Sequence, residues 1–379
     1  MSPTHKKLLF IFGTRPEAIK LAPLVRVFSN HAGFEVKVAV TAQHRQMLDQ
    51  VLAFFEIVPD YDLDMMKPNQ SLFDVTAAGI KGLESVLEDA TPDLVFVQGD
   101  TTTAFIGALA AYYKKIKVAH VEAGLRSHHK YSPFPEEMNR IMAGHLSDLH
   151  LAPTSGAAEN LRRENILEGI HVVGNTVIDA LFLGLDLLKG PKGEPIRQSL
   201  QHLPINQRFV LVTGHRRESF GEPFENICHA IAESAACFPD VAFIYPVHLN
   251  PNVQEPVHRI LGGLSNVRLI EPLDYPHFIW LMERCYVALT DSGGMQEEAP
   301  SLGKPVLVMR EVTERQEGID AGTARLVGTD QKVIFEALHE LLSNEEAYQR
   351  MAKSVNPYGD GTASNRIATI VGKYLSDTI

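Results

Sequence analysis

Lys7-Leu8-Leu9-Phe10-Ile11-Phe12-Gly13-Thr14-Arg15-Pro16-Glu17-Ala18-Ile19-Lys20 decides the fold. Residues 8–12 are apolar without a break, which predicts a strand buried on both faces, as in a parallel sheet. Gly13 permits a tight turn. Pro16 suits the first helical residue, because its φ is already helical and its missing N–H would have no partner there. A strand that runs through a tight turn into a helix is the opening of a βαβ unit.

The same rhythm extends along the chain. Apolar runs predict strands at 7–12, 36–41, 94–98, 117–121, 148–152 and 170–173, and again at 209–213, 241–246, 266–270, 286–290, 305–308 and 324–327. Amphipathic stretches between them predict helices at 16–31, 73–89, 102–114, 136–146, 177–189, 223–237 and 331–344. The pattern predicts an α/β protein of two doubly wound, parallel-sheet, Rossmann-like domains. Gly190-Pro191-Lys192-Gly193-Glu194-Pro195 reads as a loop, and the domain boundary is expected near 175–205. We place the first domain at 1–175 and the second at 176–361. Asn356-Pro357-Tyr358-Gly359-Asp360-Gly361 then breaks the pattern before a last helix at 362–376. Folds of this kind bind ligands beyond the carboxyl ends of their strands, here expected in the interdomain cleft.

Composition narrows the function. The 379 residues carry a formal charge of −11, which weighs against a nucleic-acid binder that works through its whole surface. Three cysteines without a C-x-x-C spacing predict no disulfide framework and fit a reducing compartment. The opening apolar run is too short for a signal peptide or a membrane span, so a cytoplasmic location is expected.

The strand ends carry the chemistry. Arg15 and Lys20 flank a helix start whose N–H groups are unpaired, a reading for phosphate that competes with an ordinary surface helix. Ser292-Gly293-Gly294 stands before a second helical pattern, with Glu298 one turn in. Glycines there let a phosphate approach the backbone, although a plain N-cap serine reads equally well. Asp100, Glu122 and Glu136 follow strand ends or open a helix in the first domain; Asp100 reads also as an N-cap and Glu136 as a helix-start acid, and for each acid alone a structural reading stands level with a functional one. Three together point to proton transfer. His215, in Gly214-His215-Arg216-Arg217, follows a strand of the second domain and is expected to face the crevice. No G-x-G-x-x-G follows a strand, no P-loop occurs, and no metal-ligand spacing of His or Cys is present, so neither a dinucleotide cofactor nor a metal is expected.

At these residues the chain resembles the non-hydrolysing UDP-N-acetylglucosamine (UDP-GlcNAc) 2-epimerases of bacteria. The matching segments are GTRPEAIK, TAQHRQMLDQ, QGDTTTA, HVEAGLRS, YSPFPEEMNR, GNTVIDAL, TGHRRESFGEP, YPVHLNPNV, TDSGGMQEEAPSLGKPVLV, TERQEG and NPYGDG, in order from residue 13 to 361. The resemblance implies a glycosyltransferase-B type fold whose segment 362–379 returns to the first domain, a UDP-binding second domain, and a homodimer. It implies reversible conversion of UDP-GlcNAc to UDP-ManNAc by loss of UDP to 2-acetamidoglucal and re-addition, without NAD or metal.

The resemblance also implies catalytic roles for Asp100, Glu122, Glu136 and His215, without saying which acts on which face. Arg15, Lys20, Ser292, Gly293, Gly294 and Arg315 would hold phosphates, Glu298 the ribose, and Phe278 with the backbone near Leu273 the uracil. Phe278 competes with a plain core reading. Some members bind a second, activating UDP-GlcNAc, at positions corresponding to Gln43, Gln46, Gln70, Glu136 and His248. Asn69 stands where those members carry Arg, and a neutral amide cannot clamp a phosphate, so weakened activation is expected. Gln254 and Gln316 are smaller departures, where Arg and Pro are usual. Rival readings are a hydrolysing 2-epimerase releasing UDP and ManNAc, a glycosyltransferase of the same fold, and a nucleotide-sugar sensor.

Overall fold

The computed structural model describes residues 5–42, 45–65 and 70–376. The chain divides into two compact units. The first runs to Leu183 and takes in the stretch from Tyr358 onward, and the second is Gly184–Pro357. The division falls inside the helix Thr176–Lys189.

The first unit contains β1 (Lys6–Phe12), β2 (Phe34–Val40), β3 (Tyr61–Asp62), β4 (Leu94–Gln98), β5 (Lys117–Val121), β6 (Leu149–Ala152) and β7 (Ile170–Val172). They form one sheet in the order β3-β2-β1-β4-β5-β6-β7, with every pairing parallel. Leu8 to Phe12 are all buried, as an unbroken apolar strand requires in the middle of such a sheet. Phe10 stacks on Phe96 of β4 with ring centroids 4.4 Å apart and planes within 6°. Phe28, from the helix Arg15–Ser29, packs against both rings. The sheet therefore grips the first helix through aromatic contacts that add to plain area burial.

The second unit repeats the plan with β8 (Phe209–Thr213), β9 (Ala242–Pro246), β10 (Val267–Ile270), β11 (Val287–Thr290), β12 (Val306–Val308) and β13 (Ala324–Leu326). Their order is β10-β9-β8-β11-β12-β13, again all parallel. In its core Phe224, Ile227 and Ile231 of the helix Glu222–Cys237 are buried with Val210, Val212 and Phe243 of the sheet. In both sheets the order reverses beside the first strand, between β1 and β4 and between β8 and β11. Such a switch point opens a crevice at the carboxyl ends.

The strands and helices expected from the apolar rhythm are present, with ends shifted by a residue or two. One expectation is corrected. Gly190–Pro195 is not a loop throughout, because a helix runs from Gly193 to Leu200. Pro195 falls in its first turn, where a missing N–H costs nothing. The two-residue β3 and the helices Arg45–Phe55, Ser155–Arg163, Pro251–Leu261 and Glu345–Ala352 are additions that the rhythm does not single out.

Candidate active site

In the first unit, β1 is followed by Gly13. This position needs glycine for space, not for a left-handed φ. A Cβ there would lie 2.0 Å from Thr41 Oγ1 and 2.6 Å from Thr103 Oγ1. The buried carboxylate of Glu17 accepts from the N–H groups of Gly13 at 3.1 Å and Thr14 at 2.7 Å, and from Thr101 Oγ1 at 2.7 Å. Burial pushes its acid up against these bonds. Glu17 thus ties the turn after β1 to the turn after β4. Arg15 stands exposed at the helix start and makes no ion pair among the described residues.

Lys20, expected at the phosphates, is seated on Glu122, and both side chains are mostly buried. Glu122 follows β5 in a left-handed conformation, φ 64°. It also accepts from Gln98 Nε2 at 2.6 Å and from Asn175 Nδ2 at 3.2 Å. Asp100 does not cap the helix Thr102–Tyr113. Thr101 does, accepting from Ala104 N at 3.1 Å. The Asp100 carboxylate pairs instead with Arg140, whose other arm reaches Glu137 at 3.2 Å. Glu137 is buried and accepts from the N–H groups of Ser127 and His128, so it organises the loop. Its neighbour Glu136 is half-buried and carries no hydrogen bond among the described residues. Of the three acids expected at the site, Glu122 is held by Lys20, Gln98 and Asn175, Asp100 is paired to Arg140, and the Glu136 carboxylate is unengaged among the described residues.

Behind them lie two buried histidines in register, His120 on β5 and His150 on β6. Burial lowers each to about 4, so both are neutral at pH 7. His120 Nε2 lies 2.7 Å from the Gly99 carbonyl, beside Asp100.

In the second unit, β8 delivers His215 and β11 delivers Asp291. Asp291 is buried, and its Oδ2 accepts from the backbone N–H of His215 at 2.6 Å and of Arg216 at 2.8 Å. Its Oδ1 lies 3.5 Å from His215 Nδ1. The exposed His215 ring stacks on His248, centroids 5.2 Å apart and planes within 10°. Partial burial, then the neighbouring His215, lowers His248. Arg217 is exposed with no ion pair among the described residues.

Ser292 occupies the N-cap of the short helix Gly293–Glu298, as the plain reading expected, but its side chain makes no cap bond to the helix. The Arg315 guanidinium lies against Gly293, where a Cβ would meet its central carbon at 2.7 Å. Arg315 Nε donates to Glu297 at 3.0 Å. A cation and first-turn N–H groups thus share one spot, a donor set suited to phosphate oxygens. Glu298 is buried and accepts from Tyr275 Oη at 2.9 Å. Leu273 and Phe278 are half-buried, whereas Ile279 to Met282 are core. Arg310, buried, pairs with Glu218 and Glu314. Burial opposes ionisation of Glu314, yet Arg310 holds it down at about 2.

Of the candidate second-site residues, Gln46 is exposed on the helix Arg45–Phe55, and Gln70 Nε2 donates to the Met65 carbonyl at 2.8 Å. Gln43 and Asn69 lie outside the described residues. Among the described residues no group of three or more His, Cys, Asp or Glu is arranged to hold a metal ion, and no helix is long and apolar enough to cross a membrane. The sequence reading missed Glu17, Gln98, Arg140, Asn175 and Asp291 as site residues. Asp291 and Gln98 end strands, so the strand-end rule reaches them. Arg140 and Asn175 gave no local signal.

The family model described as UDP-N-acetylglucosamine 2-epimerase matches residues 26–372. The UDP-N-acetylglucosamine 2-epimerase of Salmonella typhimurium is 56% identical over 371 residues, spanning 97% of this chain and 99% of that protein. The crystal structure of the UDP-GlcNAc 2-epimerase of Neisseria meningitidis bound to UDP-GlcNAc is similar with a TM-score of 0.88 and 49% identity, over 97% of this chain and 100% of that one. The glycotransferase of kitacinnamycin, 14% identical, shares the fold at a TM-score of 0.67 over 98% of this chain and 99% of that one. The chain belongs to the UDP-N-acetylglucosamine 2-epimerase family.

Proposed function

We propose, from that membership, that the protein interconverts UDP-GlcNAc and UDP-ManNAc by eliminating and re-adding UDP. The C2 hydrogen of the sugar is not acidic enough for simple deprotonation. Elimination solves this. A carboxylate takes the C2 proton while the C1–O bond breaks, its electron pair leaves with UDP, and the C2–H pair forms the C1=C2 bond of 2-acetamidoglucal. Return of the diphosphate oxygen to C1, with a proton delivered to the other face of C2, gives the epimer. No hydride acceptor and no metal enter this sequence.

The observation that carries the reading is the trio of carboxylates in the first unit, two just after strand ends and one opening a helix, each with different partners. Proton transfer to both faces of C2 needs acids and bases whose environments differ. Asp100, Glu122 and Glu136 fill these roles. Oriented donors stabilise the leaving diphosphate, which is the larger electrostatic task. Arg15, Ser292, Gly293, Gly294 and Arg315 serve it, and His215, braced by Asp291, attends the departing oxygen. Lys20 acts with Glu122. Glu298 takes the ribose, and Phe278 with the Leu273 backbone takes the uracil. Gln43, Gln46, Gln70 and His248 belong to a second UDP-GlcNAc site weakened by Asn69. The homodimer and cytoplasmic location expected from the sequence complete the reading.

Incubation with UDP-GlcNAc, followed by NMR of the products, tests it. UDP-ManNAc in equilibrium with UDP-GlcNAc is expected. UDP and free ManNAc accumulating together would make the enzyme a hydrolysing one.

A further inference from the structure

Glu122 is served by amides whose orientation is fixed from elsewhere. Asn175 is buried, and its Oδ1 accepts from the backbone N–H of Val177 at 3.0 Å, in the first turn of the helix Thr176–Lys189. Its own N–H donates to the Tyr358 carbonyl at 2.7 Å. With the carbonyl end occupied as an acceptor, the NH2 end must point at Glu122 Oε1. An amide NH2 donates and cannot accept, and an ammonium behaves alike. Oε1 therefore meets Asn175 and Lys20 as donors, while Oε2 meets the NH2 of buried Gln98 at 2.6 Å. Donors on both oxygens favour the charged carboxylate. The charged and titratable groups that act on Glu122 include Lys20, from the helix Arg15–Ser29, and His120, from β5 itself and neutral through burial.

We propose that Asn175 and Gln98 are positioning residues for proton transfer at C2, holding the Glu122 carboxylate in one orientation as a proton acceptor. This rests on the reading that Glu122 exchanges that proton. Asn175 also joins this carboxylate to the returning chain at Tyr358, so the segment that closes the first unit braces the site.

Asn175→Asp separates this role from a structural one. Asp keeps an acceptor for the Val177 N–H and is a good helix cap, so a purely structural Asn175 predicts little change. The positioning role predicts a second carboxylate beside Glu122 that raises its proton affinity. The acid limb of the kcat–pH profile moves up by about one unit, so kcat falls about tenfold at pH values below that limb and changes little on the plateau above it, with KM within about twofold. Gln98→Glu applies the same test from Oε2 and serves if the first variant does not fold. Wild type and Glu122→Gln are measured alongside. An active wild type, an inactive Glu122→Gln and a shifted profile in either folded amide variant support the proposal. If the first two hold and the amide variants keep the wild-type profile, the proposal falls while the proposed function stands. If wild type does not epimerise, or Glu122→Gln is fully active, the functional reading fails and takes the proposal with it.

Discussion

The two units share a topology and differ in what their strand ends present. Beside β1 the first unit gathers carboxylates, with Lys20 and Arg140 spent on pairing them. Beside β8 the second unit buries the strand-end acid Asp291 under the turn and turns His215 and Arg217 outward. One scaffold thus presents carboxylates in one copy and an exposed histidine and arginine in the other, which the proposed function reads as proton-handling and anion-binding groups. The fold supplies the place, and a few side chains supply the chemistry.

Asp100→Asn tests the division most severely. It removes a proposed proton-transfer group while leaving the second unit untouched. C2 exchange is expected to fall by about 10²- to 10⁴-fold, with UDP affinity little changed. A loss of UDP affinity of the same size would blur the contrast between the units. Asp291→Ala comes next. Two backbone N–H groups lose a charged acceptor, which costs about 2–5 kcal/mol in denaturant unfolding. Weaker UDP binding should accompany it. Unchanged stability would mean that the turn after β8 is held by other contacts.

Arg15→Ala sharpens the comparison from the other side, because Arg15 is an exposed cation of the first unit, at the helix start after β1. A weakening of UDP binding by about tenfold is expected, close to 1.4 kcal/mol. Stability should stay within about 0.5 kcal/mol, since the side chain is exposed. Unaltered affinity would leave phosphate binding to the second unit alone.

The smallest effect concerns the buried histidines, which the second sheet lacks. His150 is lowered from 6.5 to about 4 by burial, so between those values the unfolded chain binds more protons. Its contribution to stability is therefore complete above pH 6.5 and is lost as pH falls toward 4. Its Nδ1 is buried without a hydrogen-bond partner among the described residues. His150→Leu should leave the urea midpoint at pH 7 nearly unchanged and raise it above wild type at pH 5. An equal acid dependence in both proteins would contradict the burial argument.

Much of this was legible in residues 7–20 and their echoes, because strands buried on both faces write themselves as unbroken apolar runs. Short elements such as β3 leave no such trace. Local pattern also misreads Gly193 and Pro195, where helix-start proline is indistinguishable from loop proline until the frame is known. Within the site, strand-end acids were visible, but their partners were not. Asn175 lies 53 positions from Glu122 and Arg140 lies 40 from Asp100, so only the assembled sheet brings them together. Lys20 illustrates the same limit. Its sequence neighbours point to phosphate, whereas the fold seats it on Glu122.

The central claim is that the first unit's carboxylates move a proton at C2 while UDP is detached. Turnover of UDP-GlcNAc in D2O, read by NMR, tests it directly. The account predicts deuterium at C2 of UDP-ManNAc and, at equilibrium, of UDP-GlcNAc as well. Epimer formed with its original C2 hydrogen retained would contradict it.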